Sequence, residues 1–445
     1  MKRFLRRIRF YINLSRAFWR KRKNIIILGF VVGMGTFFFV YKVFNFPREN
    51  IERIGLVGKF TVQELPYEIQ RLVSGGLTEI NPDGSVKPDM AESWEVKNDG
   101  KEYWFKIKDN LFWQDKKPLT AFDINLKFTD VAITVIDKKT IKFLLKEPFS
   151  PFPNILIKPI FKKGLVGTGE YRFKSIKKNG QIVEKIVLVP VKNKNKPKMV
   201  FCFYPTEETA RVGFKLGEIE ILKEIVRPEE LLKWKNVEIS LQVKFNRFVA
   251  VFFNTNDPKL GDKSNRQALA YAIKKRWEPR ALNSLNPSSW AYNQDVKPYN
   301  YDQENAKKLL ENKTNGETKE PLKEIELSTF SSLLPMAEEI KKDWEALGIT
   351  TKIKVVSAPS DDFQALLATQ EVPPDPDQYL FWHSTQATNI SNYKSPKIDK
   401  LLEDGRKEQD QEKRKTIYHD FQKFLVEETP VAFLFHPTVY TISKR

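Results

Sequence analysis

The first 46 residues constrain this chain more than any later motif. Residues 1–23 hold ten basic side chains (Lys2, Arg3, Arg6, Arg7, Arg9, Arg16, Arg20, Lys21, Arg22, Lys23) and no acid. Ile25–Tyr41 follows, seventeen residues without a charge. As a helix rising about 1.5 Å per residue it spans roughly 26 Å, just short of a hydrocarbon core. Val43, Phe44 and Phe46 extend the apolar length, and Lys42 can snorkel outward. A cleavable signal peptide would want a small-residue site, and KVFNFPREN offers none. A lipoprotein signal would want a cysteine, and none follows. A buried core helix would not carry ten cations on one flank. The pattern therefore predicts a basic cytoplasmic segment (1–23), an uncleaved transmembrane anchor (24–46) and everything beyond about residue 47 outside the cell. Asn45–Asn50 reads as a short linker.

Charge is concentrated in that segment. Of a net +19, ten charges belong to residues 1–23, leaving +9 on the remaining 422. That excess is too mild for a nucleic-acid footprint, although cell-wall or lipid anions suit it as non-specific partners. The single cysteine, Cys202, excludes an intramolecular disulfide and a multi-thiolate metal site. At 445 residues the chain is long enough for two to four lobes.

Along the exported part, residues 51–160 read as strand-rich. Trp94–Val96 and Tyr103–Ile107 flank Asn98-Asp99-Gly100, a hairpin signal. Thr120–Asp123 reads as a capping box opening a helix. Pro148, Pro151, Pro153 and Pro159 mark a crossing between lobes, and Lys192–Lys198 a solvated loop. From about 245, strands and helices alternate. Phe248–Asn254 and Ile325–Thr329 read as strands, Arg266–Lys275 as a helix. Met336, Ile340, Trp344 and Leu347 share a helical face ending at Gly348, and Ile349, Ile353 and Val355 resume as a strand. Ser395-Pro396 starts another helix. Ile417, Phe421, Phe424 and Leu425 stripe the last one, and Val431–Phe435 is the final clear strand. The chain shows no internal repeat, and the mixture implies at least two lobes.

These segments, in this order, resemble the bacterial extracellular solute-binding proteins of family 5, the oligopeptide- and dipeptide-binding group. The resemblance begins with LTEINPDGSVKPDMAESWEVKNDGKEYWFKIKDNLFWQDKKPLTAFDI and continues through VGTGEYRF (166–173) and FKLGEIEI (214–221). FFNTNDPKLGDKSNRQALAYAIKK (252–275), YDQENAKKLLE (301–311), DPDQYLFWHS (375–384) and the stretch 395–435 complete it. It implies an α/β, type II periplasmic-binding-protein fold, with two lobes on a hinge, a β-rich subdomain and one preceding transmembrane helix. By that likeness lobe I covers 47–245 with the subdomain at about 76–160, and lobe II covers 246–415. Residues 416–445 are expected to form a helix and strand returning towards the hinge; relatives run on further, so either this lobe is trimmed or the sequence is incomplete.

The resemblance also places Gly76, Leu77, Asn254, Glu371, Tyr379, Trp382 and His383 at the ligand. For Trp382 and His383 a core position is as compatible with the residues as a cleft position. VGTGEYRF reads better as a tight turn than as a ligand contact, RQALAYAIKK as a packing helix and Arg266 as a structural ion-pairing group. Peptide-binding relatives hold the ligand's α-amino group with an aspartate three residues before the Asp-Pro-Asp step. Here Val372 stands at that position with Glu371 beside it, and Gly75 stands where such relatives often have an acid.

Catalysis is not expected. Three histidines (His383, His419, His436) leave little for acid–base or metal chemistry, Asp375 and Asp377 around Pro376 read as a loop, and no nucleophile-elbow, zinc-helix or phosphate-loop motif occurs. No cofactor and no metal are called for. The implied partners are a small solute such as a peptide, an ABC permease with its ATPase, and the membrane, with the protein a monomer. The other reading is a tethered sensor or interaction module of the same fold, binding a non-peptide or wall-derived ligand.

Overall fold

The computed structural model describes residues 2–44, 50–311, 322–358 and 362–445. It divides into two compact units, the chain up to Ile51 and Glu52–Arg445. In the first unit α1 (Lys2–Phe44) is helical, as the apolar run demands. It bends by 54° between Arg16–Ile25 and Ile27–Lys42. Among the described residues no single helix is long and apolar enough to cross a membrane, while this bent pair taken together meets that length and composition. The expected linker lies outside the described residues except for Asn50.

In the second unit, alternation of apolar and polar residues builds four sheets among the described residues. The chain opens with β1 (Ile51–Val57), α2 (Tyr67–Val73), and the short pair β2 (Thr78–Ile80) and β3 (Val86–Pro88). A four-stranded antiparallel sheet follows from β4 (Ala91–Lys97), β5 (Glu102–Ile107), β6 (Val131–Val135) and β7 (Thr140–Leu145), in the order β4-β5-β7-β6. The proline-rich stretch, with α3 (Phe152–Ile155), then leads back to β8 (Tyr171–Asn179), β9 (Ile182–Pro190) and β10 (Lys198–Tyr204). After α4 (Glu207–Leu216) come β11 (Ile221–Ile225) and β12 (Val237–Val243).

The chain then crosses into a second large sheet. β13 (Arg247–Phe253) is followed by α5 (Lys263–Ala272), α6 (Gln303–Glu311), β14 (Glu324–Phe330), α7 (Leu334–Ala346), β15 (Thr350–Val356) and β16 (Ala365–Glu371). α8 (Tyr379–Trp382), α9 (Pro396–Lys407), α10 (Gln411–Glu428) and β17 (Val431–Phe435) complete this body, and β18 (Thr438–Lys444) returns to the first. The seven-stranded order is β12-β18-β11-β1-β10-β9-β8 and the five-stranded order β15-β14-β16-β13-β17.

Several local readings are refined. The hairpin at Asn98–Gly100 forms, but Lys97 pairs Glu102, so the loop has four residues rather than a tight Asp-Gly turn. Gly100 takes φ +87, and a Cβ there would collide with the Gln409 amide, so this turn needs glycine twice over. Thr120–Asp123 forms its cap, with Thr120 N–H donating to Asp123 Oδ2 at 2.8 Å, yet only one 3₁₀ turn follows. Ile124, Leu126 and Phe128 alternate and pack on the core beneath the four-stranded sheet, and that extended pattern overrides the cap. The stripe of α10 is turned by one position. Arg414, Tyr418, Phe421, Gln422 and Leu425 face inward, while Ile417 and Phe424 are only half-buried. β18 was not legible as a strand, and it forms the central bond between β11 and β12.

Four apolar clusters sustain these sheets. The largest surrounds the five-stranded sheet, where β13 reads Phe-Val-Ala-Val-Phe-Phe and is buried on both faces, as a central strand must be. Arg266 lies in this body with its guanidinium donating to the carbonyls of Leu260, Gly261, Glu428 and Thr429. It is structural as expected, but its partners are carbonyls rather than a carboxylate, and burial depresses its pKa.

Candidate functional site

Two chain crossings join the seven-stranded and five-stranded bodies. One is Lys244–Asn246 between β12 and β13, and the other is His436–Pro437 between β17 and β18. Lys244 N–H donates to Pro437 O at 2.9 Å, so the crossings run side by side. His436 is fully buried between them. Its Nδ1 lies 2.7 Å from Arg247 O and its ring meets Phe245 edge-on at 5.2 Å. Burial pushes its imidazole pKa down, only partly countered by the Arg247 carbonyl. Paired crossings of this kind leave two rigid bodies one easy motion, opening and closing about the crossing.

Charged groups gather on that hinge because strand ends bring them there. Arg247 opens β13 and Glu371 closes β16, and the antiparallel register sets them opposite each other. Arg247 Nε lies 3.6 Å from Glu371 Oε1, and Arg247 Nη2 3.5 Å from Glu224 Oε2. Glu224, on β11 of the other body, also takes Lys244 Nζ at 2.5 Å. The Glu371 side chain is 79% exposed while those of Arg247, Glu224 and Lys244 are largely covered, so the network is open to water only at its Glu371 end.

A few residues on, the Asp-Pro-Asp step runs into a different environment. Asp375 and Arg414 are each only 8% exposed in their side chains and pair twice, at 3.0 and 2.5 Å. Asn154, from α3, adds Nδ2 to Asp375 Oδ2 at 2.8 Å, which bonds the β-rich part to the five-stranded body. Burial works against the Arg414 cation, and Asp375 more than offsets it, leaving the pKa raised. Asp377 accepts from Arg406 Nε at 2.9 Å, and burial raises its pKa despite that partner. The seam continues through Ser150 N–H to Arg406 O at 2.7 Å and Trp290 N–H to Asp83 O at 3.1 Å.

The residues expected at the ligand do not converge. Trp382 is 1% exposed, stacks on Phe252 with centroids 6.3 Å apart and belongs to the core of the five-stranded body. A cleft position for it is thereby corrected to a packing one. Leu77 is buried in the core of the β-rich part, and a Cβ on Gly76 would sit 2.5 Å from the carbonyls of Leu156 and Ile157. Both pack within that part, where Leu77 N–H donates to Leu156 O at 3.0 Å.

Asn254 lies just past the far end of β13 from Arg247, on the order of 20 Å away by strand rise. There it donates to Phe363 O at 2.9 Å and accepts from Asn256 N–H at 3.1 Å. No single small solute reaches both Asn254 and Glu371. Tyr379 is half-buried between the His383 ring and the Arg406 guanidinium, each 4.1 Å away. His383 bonds Thr385 Oγ1 at 2.9 Å and Glu403 at 3.3 Å. Glu371 alone stands exposed at the hinge. Glu224, Lys244 and Arg414 were missed. Arg414 did carry a signal, as a cation in phase with Tyr418 and Leu425 on a buried helical face.

Among the described residues no group of three or more His, Cys, Asp or Glu is placed to hold a metal ion. Two α/β bodies joined by a double crossing, with a β-rich part clasped to one of them, define a periplasmic-binding-protein fold. Solved structures agree. NikZ from Campylobacter jejuni, in complex with Ni(L-His), superposes with a TM-score of 0.73 at 23% identity over 89% of this chain and 94% of that one. The oligopeptide-binding protein AppA from Bacillus subtilis, with a nonapeptide, gives 0.67 at 20% identity, again over 89% and 94%. By sequence, the di/tripeptide-binding protein 1 of Pseudomonas aeruginosa is 25% identical over 82% of this chain and 83% of its own length. The model of the bacterial extracellular solute-binding proteins, family 5 middle region, matches residues 85–132 and 125–392, and the chain belongs to that family.

Proposed function

We propose that this chain is the extracellular solute-binding component of an ABC importer, held to the membrane by α1, and that it takes a peptide between its two hinged bodies. The double crossing around His436 carries this reading, because it permits closure about a solute that contacts both sides. The relatives named for di- and tripeptide binding support the solute class. The ten cations before Ile25 support an N-terminus kept in the cytoplasm, with the binding body outside. A permease and its ATPase are the partners this role requires, and the binding protein acts as a monomer.

Closure also states which contacts matter. A ligand shifts the open–closed equilibrium only through contacts better made in the closed form. The Arg247–Glu371 pair beside the crossing, open to solvent on its Glu371 side, can supply them, with guanidinium to a peptide carboxylate and carboxylate to an ammonium.

A second reading is favoured by one observation. Glu371 and Asp375, the two acids nearest the family's amine-binding position, already face Arg247 and Arg414. A ligand without a free ammonium, such as a blocked peptide or a wall fragment, fits that arrangement better. Titration of the full chain in detergent with a free tripeptide and its N-acetylated form decides between them. Tighter binding of the free form supports amine capture, equal binding supports the blocked ligand, and saturable binding of neither defeats the peptide reading.

A further inference from the structure

The charge of the exported part is not spread evenly. Residues 158–198 hold twelve basic side chains and two acids, Glu170 and Glu184. That net +10 exceeds the +9 of all residues after 23, so the rest of the exported sequence is near neutral at −1. Solubility alone would not gather the whole excess into one segment, because an interspersed surface serves it as well. Both acids already have partners, Glu170 in Lys196 and Glu184 in Lys177 at 2.8 Å.

The order of the seven-stranded sheet decides where these cations collect. β8, β9 and β10 form one side of it, and β10 lies next to β1. Gly58 N–H, just past β1, donates to Tyr204 O at the end of β10, so these neighbours run the same way and start at the same end. β9 runs against β10 with Leu188 opposite Met199, and β8 starts beside the end of β9 with Tyr171 opposite Pro190. The loop from β9 to β10 therefore lies at the end where Ile51 enters the sheet. It carries Lys192, Lys194, Lys196 and Lys198, and Arg172 and Lys174 stand early in β8 beside it. Arg172, Lys174, Lys192 and Lys194 are exposed. The loop is a built turn, with Val191 N–H donating to Glu170 O at 2.8 Å and Lys196 N–H to Asn193 O at 3.1 Å. Its cations are displayed at little further ordering cost.

The linker expected at Asn45–Asn50 spans at most about 20 Å when fully extended. A chain anchored through α1 thus keeps the Ile51 end of the sheet within reach of lipid headgroups. We infer that this basic end is a docking surface for anionic lipid headgroups, on which the anchored body rests. The inference builds on the anchored reading of α1 and gives the body a second contact with the bilayer. Each lysine near an anionic surface contributes a factor of about five to docking. The tether holds the surface at high effective concentration, so weak contacts suffice.

The test is amine-reactive footprinting, read by mass spectrometry, of the full chain in nanodiscs of phosphatidylcholine alone or mixed with phosphatidylglycerol. Lys174, Lys192 and Lys194 should label at least about fivefold more slowly in the anionic discs. Lys352, exposed on β15 of the other sheet, should label alike in both. Added salt should erase the difference. Lys192→Gln combined with Lys194→Gln, at exposed positions that leave the fold alone, should return Lys174 most of the way to its rate in neutral discs. Equal labelling of wild type in both discs, or protection of Lys174 that survives the double variant, overturns the docking surface and leaves the anchor standing. A chain that stays out of the discs overturns both. Protection of these lysines in neutral discs by added poly(glycerol phosphate), with none from phosphatidylglycerol, would overturn the lipid surface in favour of a soluble polyanion.

Discussion

The hinge and the seam both hold acid–arginine pairs, and they lie only a few residues apart along the chain. Glu371 meets a half-buried Arg247 from an exposed position, while Asp375 and Arg414 pair out of water altogether. The same two functional groups therefore do different work. In the hinge the pair is loose at 3.6 Å and shares Arg247 with Glu224. In the seam the pair is bidentate, closed in by Asn154, and too costly to break. Solvent exposure, rather than residue type, separates a group able to meet a ligand from one that holds parts of the protein together.

The sharpest way to break that contrast is at the seam. Asp375→Ala leaves Arg414 buried without its carboxylate, and a loss of about 3–5 kcal/mol is expected in chemical denaturation. Replacing both partners, Asp375→Leu with Arg414→Met, should recover much of it, because the cost lies in the orphaned charge. A single variant within about 1 kcal/mol of wild type would mean that the seam is as wet as the hinge.

Trp382→Ala sharpens the same boundary from inside the five-stranded body. With the indole stacked on Phe252 and sealed from solvent, the change should cost about 3–4 kcal/mol of stability. Ligand affinity measured on the protein that remains folded should be unchanged. A variant that melts like wild type but loses its ligand would put Trp382 back on the cleft wall.

His436 offers a smaller effect with a definite sign. Its folded pKa lies below the unfolded value of 6.5, so on acidification the unfolded chain takes up its proton first. Its contribution is complete above about 6.5 and is lost as pH falls from there towards the lower folded pKa. The slope is at most about 1.4 kcal/mol per pH unit. Denaturation midpoints of wild type and His436→Gln, followed from pH 8 to pH 4, isolate it. A difference between the two that stays flat across that range would show the hinge imidazole to be solvated.

Much of this architecture was legible because it rests on local chemistry. The Ile340–Trp344 face, the Ser395 cap and the all-apolar run of β13 each name their element from neighbours within a turn or two. Where the reading slipped, a long-range partner decided. Leu126 and Phe128 were drawn onto a sheet, Arg414 rotated its helix face towards Asp375, and β18 exists only because β11 and β12 receive it. The site was less legible for the same reason. Exposure separates Glu371 from Trp382, and exposure is a property of the folded surroundings. The pair Arg247–Glu371 depends on a strand register that no motif spells out.

The smallest stability effect belongs to Glu371, and it is the most informative about function. Glu371→Gln removes an exposed carboxylate from a pair that water already screens. Denaturation midpoints should move by less than about 0.5 kcal/mol. Arg247 retains Glu224 as a partner, so no charge is orphaned. Binding should respond quite differently if the carboxylate receives a peptide ammonium. The free tripeptide would weaken by about 2–4 kcal/mol, the scale of a charge-assisted contact made on closure, while its N-acetylated form would not. Should both forms bind the variant as they bind wild type, the carboxylate faces solvent in the closed state as it does here. Arg247 would then remain the group beside the crossing able to grip a solute, and the ligand would present an acid rather than an amine. Should stability itself fall by several kcal/mol, the hinge pair would be buried like that of the seam, and the distinction between the two regions would be gone.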